Sequence, residues 1–308
     1  MPETLLNTRE VATYLQINEK QVYRLVRNGS IPCTRVTGKW VFPQSLVEQW
    51  VQQSARAKTL DAARPVAMTE RFGIDRGLLI AGSDDLLLGT LFELARLRFP
   101  EYLVYTTNLG SFGGLAALKQ GKAHIALTHL RDPVTGEYNT PFLAQEFANG
   151  TVVAVTLWHR RVGLLSHTEG PTFTSFADFR RRKVRFVNRQ RGSGIRWLID
   201  QQIQEATLKV NQLKGYDTEV WTHWEVGLQI LQRRADAGVA TEAVARLLGL
   251  SFSMLVEERF DLVVLKDHYF TKPVQALLQV LTSDELKQKA TLLGGYDVRD
   301  AGKVVFPG

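Results

Sequence analysis

Hydrophobic spacing divides the chain into two regimes. From Thr8, a candidate N-cap with Glu10 in the first turn, the apolar residues Val11, Ala12 and Leu15 fall on one side of a helix. A second start signal stands at Asn18, with Gln21 three residues later as a variant capping box, and Gly29 sits where a helix C-cap needs positive φ. Between those caps Val22, Leu25 and Val26 share one face, while Lys20, Arg24 and Arg27 share another. The segment CTRVTGKWVF then alternates around Thr37, Gly38 and Lys39, as a tight hairpin does. Pro43 and Ser45 with Glu48 predict a third helix start, followed by an apolar stripe of Leu46, Val47, Trp50 and Val51.

From Ser54 to about Gly77 the rhythm is lost in a mixture of alanine, charge and one proline, which predicts a partly helical linker over residues 56–76. Beyond it, strand-like and helical runs alternate: GLLIAG, LLLGTLFELARLRF, EYLVYTT, SFGGLAALKQG and AHIALTHL. That alternation predicts an α/β fold with a mainly parallel sheet. In such sheets ligands bind beyond the carboxyl ends of strands, where helix N-termini offer free N–H groups. The loops after the strands are therefore the candidate sites.

The first fifty residues resemble the excisionase-type winged helix-turn-helix family in LLNTREVATYL, QVYRLVRNGSIP and RVTGKWVFPQSLVEQW. The resemblance implies a DNA-binding domain over residues 1–55. It implies that Lys20, Gln21, Tyr23, Arg24 and Arg27 face the major groove, and that Arg35, Lys39 and Trp40 in the wing touch backbone or minor groove. Charge agrees. Residues 1–58 hold eight basic and four acidic side chains, a net +4 of the chain's +7. An excess concentrated at one end suits a polyanionic partner, here an operator in double-stranded DNA. With 308 residues the chain exceeds a single core, so the head is a minority of the protein.

Three of the later loops share a chemistry. Ser83, with Asp84 and Asp85, follows GLLIAG; Ser111 opens SFGGLAALKQG; Ser193 follows KVRFVNRQRG. Glycine lets backbone approach an anion and serine adds a neutral donor, although a serine at a helix start is often only an N-cap. Arg189 and Arg191 together offer a bidentate grip on a carboxylate, whereas neutral donors alone suffice for a tetrahedral oxyanion. The run Arg180, Arg181, Arg182 and Arg185 also reads as a solvated basic surface.

The segments GSDDLLLGTL, RFVNRQRGSGIR and THWEVGLQIL, with the stretch from Leu109 to Leu143 and that from Ala235 to Val263, resemble the molybdate-type periplasmic-binding-protein-like (type II) domain fused to bacterial DNA-binding heads. The resemblance implies a sensing domain over 77–308, with lobe one at about 77–157 and 262–308 and lobe two at about 158–261. It places Ser83, Asp84, Ser111, Arg189, Gly192, Ser193, Gly194, Thr222 and Thr241 around an interlobe cleft, with Arg196 bracing a loop. The chain departs from the pattern at Ile195, where a threonine is common, and at Val239 to Thr241, where glycines are common.

Other chemistries find less. Cys33 is the lone cysteine, so there is no internal disulfide, and a reducing setting fits. His124 and His129 lie an odd number apart on an expected strand and point to opposite faces, leaving no ligand pair for a metal. The segment around Ser193 is not GxSxG and lacks a His and Asp constellation; TGKW is not a phosphate loop. Trp158, Trp197, Trp221 and Trp224 read as core or cleft wall. Neither an export signal nor an apolar run of about 18 residues is evident.

The expectation is a cytoplasmic one-component transcriptional regulator, homodimeric or larger, without enzymatic activity or cofactor. It senses a small anion, with molybdate or tungstate leading by resemblance. The alternatives are a sensor of a small carboxylate, or an enzyme or binding protein of molybdenum-cofactor metabolism. The enzyme reading leaves Asp84, Asp85 and His223 as its candidate catalytic groups.

Overall fold

The computed structural model describes residues 4–27, 30–36, 38–60, 69, 72–148, 150–181 and 183–306. Gly29, Thr37 and most of the expected linker lie outside these residues. The chain forms two compact units, Met1–Val66 and Ala67–Gly308.

In the first unit, β1 (Leu5–Asn7), α1 (Thr8–Tyr14), α2 (Glu19–Arg27), β2 (Thr34–Val36), β3 (Lys39–Pro43) and α3 (Gln44–Leu60) follow one another. The strands form an antiparallel sheet in the order β1-β3-β2, and β2 and β3 are the hairpin. Gly38 takes φ of +83° at its turn, a conformation a Cβ disfavours. Val11, Ala12, Val22, Ile31, Phe42 and Val47 are buried together, with Leu15, Leu25, Val26, Trp40 and Trp50 packed around them. The apolar stripes of the two short helices therefore meet, as their spacing predicts.

The helix starts differ in detail. Asn7, not Thr8, caps α1: its Oδ1 accepts from Glu10 N at 3.0 Å and Glu10 Oε2 accepts from Asn7 N at 2.7 Å. An amide one residue earlier closes the reciprocal box with Glu10, which Thr8 cannot reach. Asn18 and Gln21 do form their box, at 2.9 Å and 3.1 Å. Ser45 lies inside the first turn of α3, because Gln44 already donates its backbone N–H to Thr4 O and its side chain to Glu48. Leu46 is exposed rather than part of the stripe. The helix also runs to Leu60, past the expected linker start.

The second unit carries an eleven-stranded sheet. Its first part is β4 (Gly77–Gly82), α4 (Leu86–Arg98), β5 (Leu103–Asn108), α5 (Gly110–Lys119), β6 (Ile125–Thr128) and α6 (Thr140–Glu146). The chain then crosses on β7 (Val152–Ser166) into β8 (Val184–Arg189), α7 (Gly194–Glu205), β9 (Leu213–Lys214), β10 (Glu219–Val220), α8 (His223–Leu231), β11 (Ala237–Thr241) and α9 (Glu242–Leu248). It returns on β12 (Ser251–Leu265) and ends with α10 (Lys272–Leu281), α11 (Asp284–Leu293), β13 (Tyr296–Asp297) and β14 (Val304–Phe306).

The sheet order is β10-β8-β11-β7-β12-β6-β4-β5, with β13 and β14 beside β7 and β9 beside β8. Pairing is parallel within each lobe, at β4 with β5 and β6 and at β8 with β9, β10 and β11. It is antiparallel wherever β7 or β12 takes part. The sheet is therefore mixed, not mainly parallel. Local alternation cannot register two long strands that serve both lobes in opposite directions.

These two crossover strands have 15 residues each and pair from Leu265↔Val152 to Ser251↔Ser166, with irregularities at Met254/Val256 and Phe260/Asp261. Nearly every residue of β7 is buried, as befits a strand in the interior of the sheet. In lobe one Leu78, Ile80, Leu87, Leu91, Phe260, Val274, Leu277 and Leu286 form the main core. Lobe two packs Phe173, Phe176, Phe179 and Phe186 against Ile195 and Ile199 of α7 on one face, and Val187, Val226 and Val244 on the other. His124 and His129 are both buried, and flank β6 rather than lying within it.

Candidate functional site

The loops after β4, β5, β8, β10 and β11 open toward one another between the lobes. Gly82 ends β4, and its Cα lies 2.6 Å from where a Cβ on Gly114 would stand. That close approach draws α5 onto β4 and brings Ser83 Oγ to 2.8 Å from Ser111 Oγ. Ser111 Oγ also accepts from the backbone N–H of His129 at 3.2 Å. The helix start after β4 differs from the expectation: Asp85, not Ser83, caps α4, accepting from Leu87 N at 2.8 Å. Ser83 is thus left to the cleft.

Across from these serines, Arg189 is buried at the end of β8. Its Nη2 donates to Trp221 O at 2.8 Å and its Nε to Gln190 Oε1 at 3.2 Å, while its Nη1 is buried with no partner. Burial lowers the guanidinium to about 10, against the opposing charge of Asp84. Asp84 is itself raised, chiefly by burial, with Arg189 pulling the other way. Arg191 does not join Arg189 in a bidentate grip: its side chain is 80% exposed and turned to Glu219, 3.7 Å away. Gly192 takes φ of +85°, Ser193 caps α7 by accepting from Arg196 N at 3.1 Å, and Gly194 lies under the His129 ring, whose Cε1 would be 2.6 Å from a Cβ.

Arg196 braces this loop, as expected. Its Nη1 donates to Glu219 at 2.8 Å, its Nε donates to Asp200, and its guanidinium stacks 4.2 Å from the Tyr216 ring centre. Thr222 caps α8 in a reciprocal box with Glu225, so its hydroxyl is already engaged. Thr241 ends β11 fully buried, and its Oγ1 has no partner. Arg185 pairs with Asp236 at 2.6 Å on the surface and Arg180 is exposed, while Arg182 of that run lies outside the described residues.

The lobes are closed on one another. Asn108 Nδ2 donates to Trp221 O at 2.6 Å, the His223 N–H to Asp84 Oδ2 at 3.4 Å, Phe112 N to Gly192 O at 3.3 Å, and Trp197 Nε1 to Arg131 O at 3.0 Å. Gly110, at φ +71°, fits only because it has no side chain: a Cβ there would stand 2.7 Å from Gly192 O. Ser83, Asp84, Thr107 and Asn108 line a cavity of about 340 Å³ on the lobe-one side. Trp158 is core, whereas Trp197, Trp221 and Trp224 are partly exposed.

A buried polar network that sequence reasoning missed lies behind the cleft. Arg160 of β7 bridges Asp85 Oδ2 at 2.7 Å and Glu258 Oε2 of β12 at 3.2 Å, and donates to Asp84 O at 3.1 Å. Glu258 also meets His129 Nδ1 at 3.2 Å. Burial raises the Glu258 carboxyl, but the charges of His129 and Arg160 outweigh it and hold it below the usual range. A signal existed in the sequence: Arg160 and Arg161 are adjacent in a largely apolar strand, so one of them must point inward. Gln190 and Asn108 were likewise absent from the expected cleft set, and His223 stood only among the candidate catalytic groups.

In the head, Lys20, Tyr23, Arg24, Arg27 and Lys39 are exposed. Gln21 is half-buried and committed to its box with Asn18. Arg35 folds back, its Nε donating to Gly38 O at 3.1 Å and its guanidinium lying 5.6 Å from the Trp40 ring centre. Trp40 is half-buried against the core. Among the described residues no group of three or more His, Cys, Asp or Glu is placed to hold a metal ion, and no helix is long and apolar enough to cross a membrane.

Comparison with known proteins adds three kinds of likeness. Residues 93–282 match the model of the PBP superfamily domain, and residues 5–55 match a helix-turn-helix domain. Across its length the chain is 28% identical to the uncharacterized protein YvgK of Bacillus subtilis (strain 168), covering 96% of each chain. A phosphate ABC transporter substrate-binding protein with bound phosphate from Clostridium perfringens superposes with a TM-score of 0.54 at 14% identity, covering 70% of this chain and 97% of that one. A hydrogen-peroxide-bound cysteine-to-serine mutant of Corynebacterium glutamicum OxyR superposes with a TM-score of 0.51 at 13% identity, covering 93% of this chain and 89% of that one. At such identities the solved structures speak to fold alone.

Proposed function

We propose that this chain, which belongs to the PBP superfamily and carries a helix-turn-helix domain, is a ligand-responsive transcriptional regulator acting in the cytoplasm. The head, over residues 1–55, binds operator DNA through Lys20, Tyr23, Arg24 and Arg27, with Lys39 on the wing touching the backbone. A linker over 56–76 leads to a sensing domain over 77–308, which holds a small anion between its lobes. Lobe one is about 77–157 and 262–308, and lobe two about 158–261.

One observation carries the ligand reading. Of the buried arginines among the described residues, Arg160 and Arg196 have carboxylates within ion-pair distance, whereas Arg189 has none and keeps Nη1 unpartnered. A buried cation with a spare donor in a cleft calls for an anion. The hydroxyls of Ser83 and Ser111 stand near enough to each other to serve the same ligand oxygen. A tetrahedral oxyanion suits this mixture of one cation and neutral donors. Molybdate and tungstate come first by sequence resemblance, and phosphate by the ligand of the fold relative. Ligand would favour the closed arrangement and shift how two heads of a homodimer meet DNA, by no more than its differential affinity for the two states.

The test is a thermal-shift panel on the full chain with molybdate, tungstate, sulfate, phosphate and small dicarboxylates. A ligand at about one hundred times its Kd stabilises by about 2.7 kcal/mol, a readily measured shift. The expected result is stabilisation by one anion class that is lost in Arg189→Met. A flat panel would remove the anion-sensing reading.

A further inference from the structure

The end of the lobe-two sheet gathers buried polar atoms that no neighbour satisfies. β8 lies between β10 and β11. The three loops that follow these strands carry Arg189 Nη1 and Gln190 Nε2, then both ring nitrogens of His223, then Thr241 Oγ1, all buried and unpartnered. Native interiors seldom leave such atoms unmet, and five on adjacent loops of one cleft mark a place where something else completes them.

His223 is the least accounted for. It is 1% exposed, its backbone N–H donates to Asp84, and neither ring nitrogen has a partner. Of the carboxylates near it, Asp85 pairs with Arg160 and Glu258 with Arg160 and His129, while Asp84 meets its backbone N–H and not its ring. Burial first, then the positive charges of Arg189, Arg160 and His129, hold the ring neutral, well below the usual imidazole range. A neutral ring has one N–H and one lone pair. Its neighbours Arg189 Nη1 and Gln190 Nε2 are donors, so a ligand rich in acceptors satisfies them and only half of the ring. An anion seated there also adds negative charge beside a ring that burial and the charges of Arg189 and Arg160 hold neutral.

We propose that His223 touches the bound anion directly and that the cleft takes up a proton together with it, making the chain a proton-coupled anion sensor. This rests on the anion reading above. The sign follows from linkage: the anion stabilises the protonated ring, so affinity is greatest at low pH and falls as pH rises through the ring's value in the complex.

Isothermal titration calorimetry of the full chain with molybdate, tungstate, sulfate and phosphate tests this, run in two buffers of different ionisation enthalpy between roughly pH 6 and pH 8, where imidazoles titrate. The wild type should take up about one proton per anion, with affinity falling by up to about tenfold per pH unit. Any titration of the probe itself cancels in the difference from His223→Gln. That variant keeps an uncharged donor and acceptor, so it should bind without the uptake. His223→Ala should bind about tenfold or more weakly at the acid end, the loss of one charge-assisted hydrogen bond. Uptake that persists in His223→Gln would overturn the assignment, with Asp84→Asn and His129→Gln then locating the proton, as would a wild type that binds without uptake. Should no anion bind the wild type at all, the anion reading falls and this inference falls with it.

Discussion

Arg160→Ala removes a cation that two crossover strands and a cleft loop share. The guanidinium is fully buried, as is Asp85, and Glu258 is 2% exposed. Truncation leaves two carboxylates in a dry interior, with His129 the remaining partner of Glu258, and Tyr296 and the Leu87 N–H those of Asp85. It also removes a cation 4.5 Å from the centre of the Phe260 ring. Breaking a buried pair from one side typically costs about 3 to 5 kcal/mol, and for a unit of this size each kcal/mol lowers Tm by about 2 to 4 °C. The expected loss is therefore on the order of 10 °C.

Its pH dependence separates charge from packing. Without Arg160 both carboxyls should sit above their unfolded values, so the native variant binds protons the unfolded chain does not. The deficit is then smallest below about pH 4 and grows as pH rises toward neutrality. Urea unfolding followed by tryptophan fluorescence is the assay, since Trp158 stacks 5.7 Å from Phe260. Arg160→Met should regain the packing and keep the pH-dependent deficit. A loss below about 1 kcal/mol, or one of equal size at pH 5 and pH 7, would refute the view that this ion cluster holds the crossover together.

Two further perturbations address the site and the head. Gly110→Ala places a methyl 2.7 Å from Gly192 O at a φ of +71°, which should hold the lobes apart, weaken anion binding about tenfold or more and increase the radius of gyration by small-angle scattering; wild-type affinity and radius in this variant would refute the close approach. Arg24→Ala with Arg27→Ala should weaken DNA binding and reduce the slope of log K against log salt by about two, read by fluorescence anisotropy. An unchanged slope would exclude phosphate contacts by these side chains.

Much of the head was legible because its information is local. Asn18 and Gln21 announce their box across three residues, and the stripes of α1 and α2 identify their partners by periodicity. The Asn7 cap was misplaced by one residue because asparagine and threonine are both competent at that position. The loop serines and Arg189 were legible from strand, glycine and helix-start signals. Arg160, Glu258 and His129 were not, since they lie in separate segments that only the register of two long antiparallel strands brings together. Nothing local states that register. His223 was named only as a candidate catalytic group, and nothing local states that both its ring nitrogens are buried and unmet.

The shared strands also impose an order on synthesis. Lobe two is complete once the ribosome has passed the first residues of β12, since its core draws on nothing later than Leu255 and Val256. Lobe one begins 77 residues from the amino terminus, yet its core waits for Val274, Leu286 and Ala290, and its sheet for β14. The segment that starts first thus finishes last. During that interval the apolar face of β4 and β6 has neither β12 nor α10 and α11 to cover it, which makes the nascent first lobe the stage most exposed to aggregation and to chaperones.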